Sequence, residues 1–244
     1  MRILLTNDDG MGSEGLTALT QVLSQEHEVC VFAPDRERSG VSHALTLGSA
    51  GMVRKIGAQA YTCSGTPADC VILALLGAID FVPEIVVSGI NRGPNLGTDI
   101  VYSGTCAAAR EAVLGGLPGI AVSCAAHLEI LRYGAAASFI LKNLHALVAA
   151  CSNKTFINVN TPSTNDEILE AEWSSPCRRV FENTLTSFDG PDGFRYCFLG
   201  GGDSGIRHEV ASDYEVVAMG KVSLSPILVH PQVPVGFLSG QSFR

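Results

Sequence analysis

Residues 6–15 read TNDDGMGSEG, directly after the apolar run Ile3-Leu4-Leu5. Two chemistries compete for this stretch. Gly10, Gly12 and Gly15 spell G-x-G-x-x-G, the spacing that lets a backbone approach a pyrophosphate at a helix N-terminus. Asp35 lies 20 residues beyond Gly15, at the end of a second apolar run, where a dinucleotide-binding protein keeps its ribose-binding acid. Against this, the polar residues Thr6 to Asp9 separate the strand from the first glycine, and Asp8 and Asp9 would face the pyrophosphate. Each like-charge contact at about 4 Å costs roughly 1 kcal/mol in water and about 4 kcal/mol at partial burial.

Adjacent carboxylates at a strand end suit a hard divalent cation instead. Such an ion uses one or two carboxylates and keeps positions for water and a substrate phosphate. Gly10 and Gly12 would then let the chain turn beside it. The tetrapeptide NDDG alone leaves a second reading open, an acidic pair capping the following helix. An aspartyl-phosphate mechanism fits poorly, because it spaces its two acids at i and i+2 and these are consecutive.

A later stretch, SGINRGPNLGTDIVYSGTCAAAREA, tips the balance towards a site. It supplies neutral oxygen ligands in Asn91 and Asn95, and it ends where Ser103-Gly104-Thr105 opens a helix. A helix start with exposed N–H groups and a favourable dipole is an anion site. A loop this dense in Gly and Asn is uncommon unless functional. A phosphate held between a metal and a helix start follows as the expectation.

These loops need a frame. MRILLTN, HEVCVFAP, EIVVSGI, GIAVSC and KTFINVN read as strands, separated by helical periodicity in SEGLTALTQVLSQ, PADCVILALLGAI, SGTCAAAREAVLGG and a long segment from about 128 to 151. Alternation of this kind implies right-handed crossovers and an α/β fold, Rossmann-like, with a mostly parallel sheet flanked by helices. Ligands of such sheets bind at the carboxyl ends of the strands, where TNDDG, APDRERSG and the Asn-rich loop converge. Beyond residue 163, RRVFENTLTSF and GFRYCFLG joined through DGPDG predict a β-hairpin. The expected division is a catalytic core over 1–162 and a C-terminal elaboration over 163–244, packed on the core and on another subunit.

Composition narrows the class. The 244 residues are 46% hydrophobic and 16% charged, enough for a large core, and the net charge of −8 argues against broad nucleic-acid binding. Eight cysteines show no C-x-x-C or Cys/His clustering, and several, such as Cys30 and Cys124 within apolar runs, read as small core residues of a reducing compartment. With no leader-like or membrane-spanning run, the expectation is a cytoplasmic protein. His43 can reach the site or hydrogen-bond the backbone; Arg36 and Arg38 can meet phosphate or remain solvated. Asp213, His208 and His230 are expected to serve structure or subunit contacts.

In this order, MRILLTNDDG, APDRERSG, SGTPADCV and SGINRGPNLGTDIVYSGTCAAAREA closely resemble the survival protein E (SurE) family, with NVNTP at 158–162 and SDYEVVAMGKVSLSPI at 212–227 extending the match. The resemblance implies a metal-dependent 5′-nucleotidase that removes phosphate from nucleoside monophosphates, 3′-monophosphates and short polyphosphate included. It implies one divalent cation per subunit, Mg²⁺ or Mn²⁺, on Asp8, Asp9, Ser39 and Asn91, with Asp8 or Asp9 as the catalytic acid–base group. Phosphate would fall to Asn95 and Ser103-Gly104-Thr105. A homodimer or homotetramer is implied, without membrane or stable nucleic-acid partner. Cys106 in place of a small aliphatic residue and the variant turn GMGSEG are the departures, and the glycine fingerprint becomes coincidental. The competing class is a dinucleotide-binding redox or regulatory protein using the Gly10-Gly12-Gly15 loop.

Overall fold

The computed structural model describes residues 1–125, 131–165, 170–207 and 211–232. In chain order it begins with β1 (Arg2–Thr6), α1 (Glu14–Leu23), β2 (Glu28–Pro34), β3 (Val53–Gly57), β4 (Ala60–Cys63) and α2 (Pro67–Leu75). Then come β5 (Ile85–Arg92), a 3₁₀ turn at Gly97–Val101, α3 (Gly104–Leu114), β6 (Gly119–Ala125), α4 (Gly134–Ala150) and β7 (Thr155–Pro162). The last elements are β8 (Ala171–Trp173), β9 (Arg178–Asp189), β10 (Arg195–Arg207), α5 (Asp213–Ala218) and β11 (Val222–Leu228).

Nine strands form one sheet in the order β3-β4-β2-β1-β5-β6-β7-β11-β8, and β4 through β7 in that order run parallel. The α/β class and the mostly parallel sheet are as the alternation of elements predicts. The chain leaves β1 outward through β2 to β4, then returns to β5 on the other side of β1 and proceeds to β7. The direction of winding therefore reverses between β1 and β5, and a crevice opens beyond their carboxyl ends.

Alternation along β1 explains the two-sided core. Ile3 and Leu5 pack with Leu16, Leu19 and Leu23 of α1 and Ile140 and Leu144 of α4, whereas Leu4 packs with Phe32, Val71 of α2 and Ala108 of α3. The first three helix starts are fixed locally: Ser13 caps α1, Thr66 and Asp69 form a capping box on α2 with Pro67 in its first turn, and Ser103 caps α3.

Three elements differ from expectation. The helix predicted from about 128 begins at Gly134; residues 131–133 are not helical, and 128–130 lie outside the described residues. The antiparallel pair β3–β4 has no clear sequence signal, because VRKIG is almost wholly exposed and shows no alternation of apolar and polar residues. Strand β11 pairs antiparallel with β7 and parallel with β8. No strand is expected there, where serines alternate with apolar residues: Ser223 and Ser225 are fully buried and share hydrogen bonds of 2.7 and 3.0 Å with Ser174, while Val222 joins the main core.

The expected hairpin is present as β9 and β10, paired antiparallel from Arg178↔Arg207 to Asp189↔Arg195. The cysteines at 30, 63, 70, 106, 124 and 177 are buried, and none of the eight is in a disulfide. Among the described residues no helix is long and apolar enough to cross a membrane.

Candidate active site

The acidic pair lies at the carboxyl end of β1, inside the crevice. Asp8 is only 4% exposed, and its Oδ1 accepts a 2.5 Å hydrogen bond from the Thr105 hydroxyl. Backbone N–H groups of Gly104 and Thr105 also donate to it, so the start of α3 is turned onto this carboxylate. The approach is close enough to require glycine: a Cβ on Gly104 would lie 2.9 Å from Asp8 Cβ and 3.0 Å from its Oδ2. Burial pushes the Asp8 carboxyl upward, and the bonds from Thr105 and Gly104 pull it only part of the way back.

Asp9 is half-buried beside it. The Arg92 N–H at the end of β5 donates to its Oδ2 at 3.0 Å. Burial, then the charges of Asp8 and Glu37, push the Asp9 carboxyl up to about 6 against that bond. Asn91 precedes Arg92 and donates its Nδ2–H to the Gly93 carbonyl at 2.9 Å, which leaves its side-chain oxygen as the end that can meet a cation. The loop after β2 docks on the pair through Arg38 N–H to the Asp8 carbonyl at 2.6 Å.

The structure thus brings Asp8, Asp9 and the Asn91 strand end together. Ser39 stands apart: it is exposed, one residue beyond the Arg38 contact, and its hydroxyl donates to Glu37 Oε1 at 2.7 Å. Asn95 is buried and bonded within the protein. Its N–H donates to Asn160 Oδ1 at 2.8 Å, its side chain donates to Ser123 Oγ at 2.8 Å, and its carbonyl accepts from Asn158 and Asn160. Ser103 Oγ accepts the Cys106 N–H at 3.0 Å as the cap of α3. The groups expected to hold phosphate directly are therefore engaged here with Asp8, as Thr105 is, or with neighbouring residues of the fold, as Asn95 and Ser103 are.

Of the three glycines in the opening motif, Gly10 adopts φ +92°, and a Cβ there would be 3.0 Å from the Arg36 carbonyl carbon. Gly15 serves helix packing, since a Cβ would fall 2.0 Å from the Ile90 carbonyl oxygen. Gly12 needs neither, having open space and no left-handed φ, so the expectation that it shapes the turn is corrected.

His43 meets a side chain rather than the backbone: its Nε2 is 2.8 Å from Glu111 Oε2 on α3. Arg36 and Arg38 both lie near the Asp35 carboxylate, at 3.7 and 3.8 Å, and Arg38 donates to the Ser64 carbonyl. Sequence reasoning passed over Asn158 and Asn160 as functional candidates. They appear only within NVNTP, where polar residues inside a buried strand were the available signal.

A divalent cation fits these residues. Two adjacent carboxylates are both raised by burial, Asp9 further by its neighbours' charge, and a cation beside them would offset that cost. Among the described residues no group of three or more His, Cys, Asp or Glu side chains forms a metal cluster. The donor set is two carboxylates plus neutral oxygens, the mixture that Mg²⁺ or Mn²⁺ accepts together with water.

The raised Asp9 carboxyl has a consequence for stability. A carboxyl raised from 3.8 to about 6 contributes full stability below pH 3.8 and loses it as pH climbs towards 6. Asp9→Asn is therefore expected to raise the thermal midpoint of EDTA-treated protein above pH 6 and to leave it little changed at pH 4, by melting curves across that range. A stabilisation of about 1–2 kcal/mol is typical for relief of such a site.

A doubly wound α/β protein with an acidic pair at its winding reversal is the class that fold and site define. Family comparison makes it specific: the Survival protein SurE family model matches residues 3–183, and the chain belongs to that family. It is 43% identical over 233 residues to a 5′-nucleotidase SurE of Geotalea daltonii, covering 93% of this chain and 92% of the relative. The 5′-nucleotidase SurE of Thermosipho melanesiensis is 39% identical over 235 residues, covering 94% and 92%. Among solved structures, the SurE protein from Aquifex aeolicus superposes with a TM-score of 0.82 at 34% identity, covering 95% of each chain.

Proposed function

We propose that this chain is a 5′-nucleotidase, a phosphomonoesterase that converts nucleoside 5′-monophosphates to nucleoside and phosphate with a divalent cation. The observation that carries the reading is the buried Asp8–Asp9 pair at the winding reversal, in a chain whose relatives named 5′-nucleotidase SurE match it over nearly its whole length. The dinucleotide alternative finds no support: Gly12 is unconstrained, and Gly15 serves to pack α1 against the Ile90 carbonyl.

Asp8, Asp9 and Asn91 would hold the cation, with Ser39 reaching it after exchange of its Glu37 bond. When bound, the cation lowers the pKa of a coordinated water and offsets charge on the phosphate. The chain's own part is orientation and proton handling. Thr105 and the Gly104 and Thr105 N–H groups fix one face of the Asp8 carboxylate, and Arg92 N–H fixes Asp9. Beside holding the cation, Asp8 or Asp9 would accept the proton of an attacking water. Asn95 and Ser103-Gly104-Thr105 are read as acting on phosphate mainly through the field at the start of α3.

Phosphate release from a nucleoside 5′-monophosphate is expected to stop in EDTA and to return on adding Mg²⁺ or Mn²⁺, with the more effective ion identifying the cofactor. Full activity in EDTA would remove the cation from the reaction.

The core over 1–162 carries every residue assigned to chemistry, and 163–244 is read as the elaboration that meets another subunit. The support is the hairpin, which exposes Leu185, Phe188, Phe194, Phe198 and Leu199. Light scattering behind size exclusion is expected to give a dimer or tetramer; a monomer would sink the subunit contact.

A further inference from the structure

A cleft of about 430 Å³ opens from Asp9 and runs between the start of α1, the loop after β2 and the start of α4. Of its lining, the roles proposed above use only Asp9 and Arg92. Its lining is uneven. Met11, Leu131 and Tyr133 supply an apolar and aromatic surface, with the Tyr133 ring edge set 3.2 Å from where a Cβ on Gly15 would stand. Elsewhere the lining carries four carboxylates against two arginines.

This charge balance selects the occupant. A chain of further phosphates leading away from Asp9 would pass along carboxylates, each contact costing about 1–4 kcal/mol by degree of burial. An uncharged group with a flat apolar face and hydroxyls at its edge meets no such penalty. It can stack on the aromatic wall and donate to the acids. Resting on the nucleotidase reading, we propose that this cleft is the nucleoside subsite, with the base against Tyr133, Met11 and Leu131 and the ribose hydroxyls towards Asp35 and Glu37. Asp35, at the end of β2, is the acid whose position suggested ribose binding in a dinucleotide protein. Here it would meet the ribose of a monophosphate instead. The subsite favours nucleoside monophosphates over polyphosphate chains, and Tyr133 is its specificity-determining residue.

The test compares kcat/KM for adenosine 5′-monophosphate with that for ribose 5-phosphate, which lacks the base, in the wild type, Tyr133→Ala and Tyr133→Phe, with cation present. Loss of folded protein lowers both values alike and cancels in their ratio. The wild type is expected to prefer the nucleotide, Tyr133→Ala to reduce that preference by tenfold or more, and Tyr133→Phe to keep most of it. The inhibition constant of free adenosine against ribose 5-phosphate should rise in parallel in Tyr133→Ala. An unchanged preference in Tyr133→Ala overturns the subsite while leaving the phosphatase intact. A wild type that hydrolyses neither ester overturns the nucleotidase reading and the subsite with it.

Discussion

Asp8→Asn is expected to lower the rate of phosphate release from a nucleoside 5′-monophosphate by about a thousandfold or more, the scale of losing a preorganised charge at a reacting centre. The change removes half of the carboxylate pair without altering its shape. An amide oxygen can still accept the Thr105 hydroxyl, so the seam between β1 and α3 stays closed. The carboxylate is held against the cost of burial, so its removal relieves as much as it loses, and the thermal midpoint in EDTA is not expected to fall. Thermal melts and phosphate-release kinetics on the same preparation check both halves. Near-normal turnover in Asp8→Asn and in Asp9→Asn together would end the assignment of chemistry to this pair.

The second large effect concerns stability. Asp213 is fully buried at the start of α5, and its carboxylate accepts the Gly97 N–H at 2.7 Å, the Cys177 N–H at 2.8 Å and the Tyr214 N–H at 2.9 Å. Gly97 belongs to the loop between β5 and α3, so one side chain near the end of the chain fixes the loop that carries the candidate site. Asp213→Ala would leave buried donors unpaired, each worth about 1–3 kcal/mol, for a total loss of about 3–5 kcal/mol. Urea unfolding measures it. Asp213→Asn should lose less, because it keeps one acceptor but turns an N–H group against another donor. A loss below about 1 kcal/mol in Asp213→Ala would mean that the loop holds itself.

Much of the parallel sheet was legible because its strands are buried on both faces and read as unbroken apolar runs, as in Ile3-Leu4-Leu5 and Ile85-Val86-Val87. The caps at Ser13, Thr66 and Ser103 were equally local. What escaped the sequence depends on contacts between distant segments. Ser223 and Ser225 look like surface residues until Ser174 is placed beside them. Gly15 looks like part of a phosphate loop until the Ile90 carbonyl is seen beneath it. At the candidate site, the types and spacing of Asp8, Asp9 and Asn91 pointed to one place, because strand ends must converge at the winding reversal. The partner of the α3 start was hidden, since Thr105 lies 97 residues from Asp8 and nothing in its sequence context separates a bond to phosphate from a bond to carboxylate.

The bond from Gly97 to Asp213 spans 116 positions of chain. During synthesis from the N-terminus, the acidic pair, the Asn-rich loop and the six parallel strands from β4 to β7 of the sheet exist well before that acid does. A nascent chain can assemble the sheet around its first strands and still lack the side chain that fastens the loop. Antiparallel pairing of β11 with β7 comes later still, on the outer side of a sheet already built. The order of translation thus leaves the loop unfastened until residue 213 has been made, and hydrolytic competence should not precede it.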